Sequence, residues 1–232
     1  MKKQKDRKMM KKRLILTGLI KMISGMLLVT LLLFLPAGTW QYPNGWLLIG
    51  LLFIPMPVMG AVLLCKAPQL LEKRLNSREQ ESEQKKVILL SSIIFIAGFV
   101  IAGLDYRFGW TRLPLPGVGI GVGFFMIAYG LYVEVMRENA YLSRTVEIQK
   151  DQRVVDTGLY GIVRHPMYMA VILLFLSMPL VLGSAMAIVP FLFVPAVLVK
   201  RIRNEEQVLE EGLSGYREYE TRVKYRLLPF VW

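Results

Sequence analysis

The sequence predicts an all-α fold: a polytopic transmembrane helix bundle with four spans, a carboxyl-terminal helical hairpin and a cytosolic carboxyl-terminal helix. Three observations carry the prediction. Four apolar runs each approach the roughly 20 residues that a helix needs to cross about 30 Å of hydrocarbon. A fifth stretch, Met167 to Val199, contains 33 residues without a charge, too many for one crossing. Basic residues are concentrated in alternate connections, as expected of a chain that returns repeatedly to the cytosol.

The four runs are Leu14–Leu35, Trp46–Cys65, Val87–Leu104 and Leu115–Met136. Lys21 interrupts the first, where an ammonium near the membrane edge can snorkel outward. That run is longer than a signal-peptide core and lacks a small-residue cleavage site, so it reads as a retained anchor. Its amino-terminal flank, Lys2 to Arg13, holds eight Lys or Arg against one Asp and is placed inside. The first connection, Pro36 to Gly45, is uncharged and, with Trp40, Tyr42 and the adjoining Trp46, suits an outer interface. The second, Lys66 to Lys86, carries Lys66, Lys73, Arg74, Arg78, Lys85 and Lys86 among several Glu, which predicts a short amphipathic helix in the cytosol. Asp105 to Pro114 is short and aromatic and fits the outside. The fourth run then returns the chain before the polar stretch Arg137 to Pro166, which includes the turn signal Asp156-Thr157-Gly158.

The charge-free stretch decides where the carboxyl-terminal basic residues lie. Met178-Pro179 and Gly183-Ser184 sit near its centre, where proline removes a helix hydrogen bond and glycine permits a turn. A single crossing would put Lys200, Arg201, Arg203, Arg217, Arg222, Lys224 and Arg226 outside, against the positive-inside tendency. A hairpin returns them to the cytosol, so the protein reads as a multi-pass membrane protein with both termini cytosolic. Arms of about 16 residues rise roughly 24 Å, tilt little and stop short of the far surface. The fold-back makes Tyr168 and Arg201 neighbours at the cytosolic mouth. Three segments follow: a basic terminus (1–13), amino-terminal spans and loops (14–116), and a carboxyl-terminal core (117–232).

A formal net charge of +12 raises the question of nucleic acid, but the basic residues flank the spans instead of forming one stripe. The expected partner is the lipid bilayer, where each basic residue near an anionic leaflet gains about 1 kcal/mol. Cys65 and His165 are the only residues of their types, which excludes an internal disulfide and leaves no His/Cys zinc site.

The chemistry-bearing residues flank the hairpin. At its entry stands Thr157-Gly158-Leu159-Tyr160-Gly161-Ile162-Val163-Arg164-His165-Pro166-Met167-Tyr168, and at its exit Arg201-Ile202-Arg203-Asn204-Glu205-Glu206. A pocket between them would offer carboxylates, guanidinium groups and aromatic faces. Such a set suits the sulfonium, ribose and carboxylate of S-adenosylmethionine, and equally other nucleotides. Interfacial anchoring of Arg164, Tyr160 and Tyr168, a helix start at His165-Pro166, and solvated pairs of Arg201 with Glu205 and Arg203 with Glu206 are the plainer alternatives. Glu205 and Glu206 point about 100° apart on a helix, so one faces a ligand while the other pairs or caps.

Together the two stretches resemble the isoprenylcysteine carboxyl methyltransferase family, related to membrane phospholipid methyltransferases, through Arg-His-Pro-x-Tyr followed, after an apolar hairpin, by a Glu-Glu pair. The resemblance runs from about Gly117 to Trp232 and continues through Leu209, Gly215-Tyr216-Arg217-Glu218-Tyr219 and Arg222-Val223-Lys224-Tyr225-Arg226-Leu227-Leu228-Pro229. It implies S-adenosylmethionine bound from the cytosolic side and a hydrophobic or lipidated acceptor, small molecule or peptide, that enters among the helices. By motif position, Tyr160, His165 and Tyr168 line the cofactor pocket, Glu206 and Glu205 hold its polar groups, and Arg203 and Arg164 orient the acceptor carboxylate or the cofactor. Phospholipid amine methylation, a nicotinamide-dependent membrane reductase of related architecture, and a non-catalytic scaffold or small transporter are the competing functions. A carboxylate acceptor is already ionised near neutral pH, whereas an amine or phenol requires a base.

Overall fold

The computed structural model describes residues 2–76, 82–143 and 145–232, and among them every regular element is helical. The side chains of residues 1–8, which hold most of the basic amino terminus, and Arg78 of the second connection lie outside the described residues. Among the described residues, four helical segments are long and apolar enough to cross a membrane: Met9–Ala37, Pro43–Lys66, Gln84–Phe108 and Leu115–Glu138. Each contains one of the predicted runs. The protein is a multi-pass membrane helix bundle.

Helix α1 (Lys2–Ala37) is followed by a second span built from α2 (Pro43–Phe53) and α3 (Pro55–Lys66). The break at Ile54 has a covalent cause. Pro55 and Pro57 lack the N–H groups that would bond the carbonyls four residues back. The amphipathic helix of the second connection is α4 (Pro68–Leu75), which buries Leu70 and turns Lys73 and Arg74 toward residues 132–149. Lys21 is held by protein instead of snorkelling to headgroups: its ammonium donates to the Leu75 carbonyl at 2.5 Å. The third and fourth spans lie in α5 (Ser82–Phe108) and α6 (Leu115–Glu138).

The charge-free stretch folds as the expected hairpin. Its first arm is α7 (Pro166–Leu182), which runs through Pro179 without ending. Gly183, at φ 73°, closes it, because a left-handed conformation at a helix end is open to a residue without a Cβ. The return passes through the single turn α8 (Ile188–Phe191) into α9 (Val194–Gly212), which continues as one helix through Arg201–Glu206. A short α10 (Tyr216–Arg222) follows.

At its far end the hairpin turn packs into the connections between the other spans. The Leu113 N–H donates to the Gly183 carbonyl at 3.0 Å, and the Tyr42 hydroxyl donates to the Leu182 carbonyl at 2.8 Å. Buried Asp105 accepts from the Thr111 N–H at 2.6 Å and from the hydroxyls of Thr111 and Ser184. Thr111 Oγ1 in turn accepts the Ala185 N–H at 3.0 Å. One carboxylate thereby fixes the hairpin tip to the α5–α6 connection.

Small residues let the helices approach closely, as membrane bundles require where lipid competes with apolar side chains for contact. A Cβ at Gly121 would lie 2.6 Å from Leu180 Cβ and 2.7 Å from the Val181 nitrogen, so α6 and α7 touch along their backbones. At Gly103 a Cβ would come within 2.5 Å of the Leu33 carbonyl oxygen, between α5 and α1. The apolar core these contacts enclose is continuous from Val29 and Leu33 through Phe99 and Phe125 to Phe191 and Leu198.

Gly121→Val is expected to destabilise the detergent-solubilised protein by about 2 kcal/mol or more, since backbone atoms cannot yield to the added methyls. Gly119→Val, on the same helix with nothing within 4 Å, should leave the thermal midpoint nearly unchanged. Equal midpoints for the two variants would contradict this account of α6–α7 packing.

Candidate functional site

The site is assembled from three separate pieces of chain. The predicted turn at Thr157-Gly158 forms with Gly158 at φ 53°, and the Glu138 carboxylate occupies the space a Cβ would need there. That carboxylate accepts the Leu159 N–H at 3.0 Å, which anchors a single 3₁₀ turn, Gly158–Gly161, to the end of α6. Tyr160 is thereby turned inward and buried. Its hydroxyl accepts from Asn139 Nδ2 at 2.9 Å, and its carbonyl accepts the Tyr219 hydroxyl at 2.7 Å. His165 then takes the N-cap position of α7, with Pro166 in the first turn, where no N–H is required.

Glu206 is the centre of a buried ion cluster. It projects from α9 with 2% of its surface exposed. Oε1 receives Arg164 Nε at 2.9 Å and lies 3.1 Å from His165 Nε2, while Oε2 receives Arg226 Nε at 2.5 Å. Arg164 is further held by the Val223 and Lys224 carbonyls and by Glu220 at 3.3 Å. The main chain closes the arrangement, as the Arg164 and His165 N–H groups donate to the Tyr225 and Arg226 carbonyls at 2.9 Å each. Burial alone would raise the Glu206 pKa, but His165, Arg226 and Arg164 outweigh it and hold the group at about 2.

Glu205 faces elsewhere. Its Oε2 accepts the Tyr168 hydroxyl at 2.5 Å, and that hydroxyl accepts from Arg201 Nε at 2.9 Å. The two ends of the hairpin therefore meet, as the fold-back requires.

In front of this wall opens a cavity of about 600 Å³, within the size range of small-molecule sites. Its polar part is lined by residues of the 139–155 segment, including Asn139, Thr145 and Glu147, together with Tyr160, Arg164, His165, Tyr168, Arg201, Glu205, Tyr216 and Tyr219. Its apolar part runs between helices past Leu28, Val87, Phe95, Phe175, Val194 and Leu198. Burial raises the phenol pKa of Tyr160, Tyr216 and Tyr219, so these hydroxyls stay protonated and able to donate. The buried Tyr216 hydroxyl has no hydrogen-bond partner among the described residues, an arrangement that suits a ligand acceptor.

Of the residues singled out in the sequence, Tyr160, Arg164, His165, Tyr168 and Glu205 line the cavity. Glu206 stands behind them in the ion cluster, and Arg203 is exposed on α9, about 200° around the helix from Arg201. Arg201, expected beside Tyr168 at the mouth, also lines the cavity, and the structure adds Tyr216, Tyr219, the 139–155 wall and Arg74 from α4 to the cavity, and Arg226 to the cluster. Tyr216 and Tyr219, spaced i,i+3, share a helix face, and that spacing was their signal. Arg74 carried none, because nothing local ties α4 to a segment some seventy residues on.

Residues 120–211 match the family model described as the isoprenylcysteine carboxyl methyltransferase (ICMT) family. That range includes both flanks of the hairpin and ends before Tyr216. The delta(14)-sterol reductase of Mus musculus is 32% identical over 91 residues, which is 38% of this chain and 22% of the reductase. Less than a quarter of that protein is thus matched. A solved structure described as the eukaryotic intramembrane Ras methyltransferase ICMT aligns over 88% of this chain and 74% of its own, at 18% identity and a TM-score of 0.49.

The Glu206 cluster makes stability depend on acid. The carboxyl is held at about 2 against its ordinary 4.5, so between those values the unfolded chain binds the proton that the folded one refuses. The stabilisation is full above about pH 4.5 and is lost as pH falls through about 2. Glu206→Gln should lower the thermal midpoint at pH 7 and flatten its fall across that window, because a neutral amide leaves Arg164 buried without its main counter-charge. An unchanged acid profile in this variant would remove Glu206 from the centre of the cluster.

Proposed function

We propose that this chain is an integral-membrane methyltransferase that uses S-adenosylmethionine and acts on a carboxylate carried by an apolar or lipidated molecule. One observation carries the reading: the family-matched motifs flanking the hairpin converge on one cavity, where Arg201, Tyr168 and Glu205 form a continuous hydrogen-bonded wall. The basic connections support an orientation with this cavity and both termini on the cytosolic side.

The residues present fit the cofactor. Tyr160, Tyr168, Tyr216 and Tyr219 offer aromatic faces that stabilise a sulfonium, Glu205 offers acceptor oxygens for ribose hydroxyls, and the unpartnered Tyr216 hydroxyl offers a donor. When bound, S-adenosylmethionine supplies an electrophilic methyl group. The chain's contribution is to align the acceptor and exclude water, the positioning from which a displacement gains much of its rate.

Arg201 stands where the polar part of the cavity meets the apolar part, next to Leu198 and Val194 on the same helix. In our reading it orients the acceptor carboxylate, the part that motif position assigns to Arg203, while Arg164 shapes the wall from within the ion cluster. The apolar part holds the acceptor's tail among Phe95, Phe175 and Leu198. A carboxylate acceptor reacts without a base, and the cations Arg74 and Arg201 favour it over an amine.

The reductase similarity supports a second reading, a nicotinamide-dependent membrane reductase. Calorimetry on the purified protein separates the two: saturable binding of S-adenosylhomocysteine supports the first, and binding of NADPH in its place supports the second. Under the first reading, Glu205→Gln should weaken binding of the product about tenfold, the scale of one hydrogen bond to a charged group. Arg201→Ala should abolish methyl transfer to a lipidated carboxylate with little change in product affinity, and Arg203→Ala should leave both within about twofold of wild type. Loss of transfer in Arg203→Ala with full transfer in Arg201→Ala would reverse the assignment.

A further inference from the structure

A second tier of residues stands behind the cavity wall, beyond the family-matched residues. The segment Val223–Arg226 runs alongside Arg164 and His165 and supplies the carbonyls that their N–H groups bond. Past it the chain bends at Phe230, a non-glycine residue at φ 66°, and comes back. The main-chain N–H groups of Arg226, Leu227 and Leu228 converge on the Trp232 main-chain oxygen at 2.9, 3.0 and 3.3 Å. That closed turn sets the indole against the Arg226 guanidinium, whose Cζ lies 5.3 Å from the ring centroid, within cation–π range. Toward the protein, the same guanidinium places Nε 2.5 Å from Glu206 Oε2.

Arg226 needs such support. A third of its side chain is exposed, and a long, partly solvated arginine samples many rotamers that a single ion pair does not suppress. A flat ring on one side and a carboxylate on the other leave it one arrangement.

We infer that Trp232 is a positioning residue for the cavity: it fixes Arg226, Arg226 fixes Glu206, and Glu206 holds Arg164 and His165 in the cavity wall. The inference rests on the proposed function only for the choice of ligand. The groups that face Glu206 are Arg164 and His165 at the start of α7, Arg226 on the returning segment, and, one step further, Glu220 and Tyr216 on α10. Of these, Arg226 is the one that stacks on the indole, so displacement of its charge is the route from Trp232 to the carboxylate.

The test is a double-mutant cycle with two readouts on the full-length protein. Trp232→Ala should raise the dissociation constant of S-adenosylhomocysteine by about fivefold, and Trp232→Phe, which keeps an aromatic face, should return it to within about twofold. In an Arg226→Gln background Trp232→Ala should add nothing. The acid limb of unfolding should move to higher pH in Trp232→Ala and in Arg226→Gln alike, since either change leaves Glu206 with less cationic support. A residue that merely packs would lower stability at every pH without moving that limb. Fully additive effects of the two substitutions, or an acid limb like that of wild type in Trp232→Ala, would overturn the inference. Should the alanine variant fail to fold, Trp232→Leu keeps apolar bulk without a π face and takes its place. If the wild-type protein binds no S-adenosylhomocysteine, the proposed function falls, and the acid limb, which needs no ligand, decides the inference by itself.

Discussion

The arrangement depends on one buried carboxylate. Glu206 is removed from water, a position that would expel its charge if it stood alone, and it stays ionised because three cationic or hydrogen-bonding side chains from two distant segments meet it. The dependence is mutual. Arg164 is also buried and without Glu206 would keep only Glu220, longer in reach and partly exposed, as a counter-charge. The start of α7, the middle of α9 and the returning segment after α10 are therefore held together by charge balance, and the cavity wall is the exposed side of that knot.

Apolar burial organises the rest of the bundle and leaves the site's chemistry largely undetermined. The contacts at Gly121 and Gly103 bring helix backbones together and set the spacing of the spans. They do not select which polar group faces the cavity. That selection comes from the rotation of α9, which is fixed by Ile202 and Leu198 in the core and by Glu206 in the cluster, and which leaves Arg201 and Glu205 pointing into the cavity and Arg203 into solvent.

Much of this was legible in the sequence, for identifiable reasons. Run lengths and basic connections indicated the spans, and 33 uncharged residues with glycine near the centre indicated the hairpin and its turn at Gly183. The meeting of Tyr168 with Arg201 followed from that fold-back and is present. The helical offset between Glu205 and Glu206 predicted one inward and one paired carboxylate, but not which, because the phase of a helix within a bundle depends on packing against partners that the local pattern does not name. The places of Arg74 in the cavity and of Arg226 in the ion cluster were out of reach for a related reason: each acts across a long separation in sequence. The proline at 179 illustrates the opposite error of weighting. It looks like a break, yet α7 continues through it to Leu182, and the helix ends one residue before Gly183 takes its left-handed conformation.

The far-end knot around Asp105 has a consequence for how the hairpin sits in lipid. Backbone that is not helical is tolerated at hydrocarbon depth only when its polar groups are paired within the protein. In this turn the N–H groups of Gly183, Ser184, Ala185 and Ala187 each meet an acceptor, two of them side-chain hydroxyl oxygens drawn in by the aspartate. A turn sealed in this way has no need to surface among the headgroups. A 17-residue first arm, about 26 Å long, therefore carries the turn to the level of the far-end connections with these donors already paired, and the tip depends on the protein, not on headgroup water, for its hydrogen bonds.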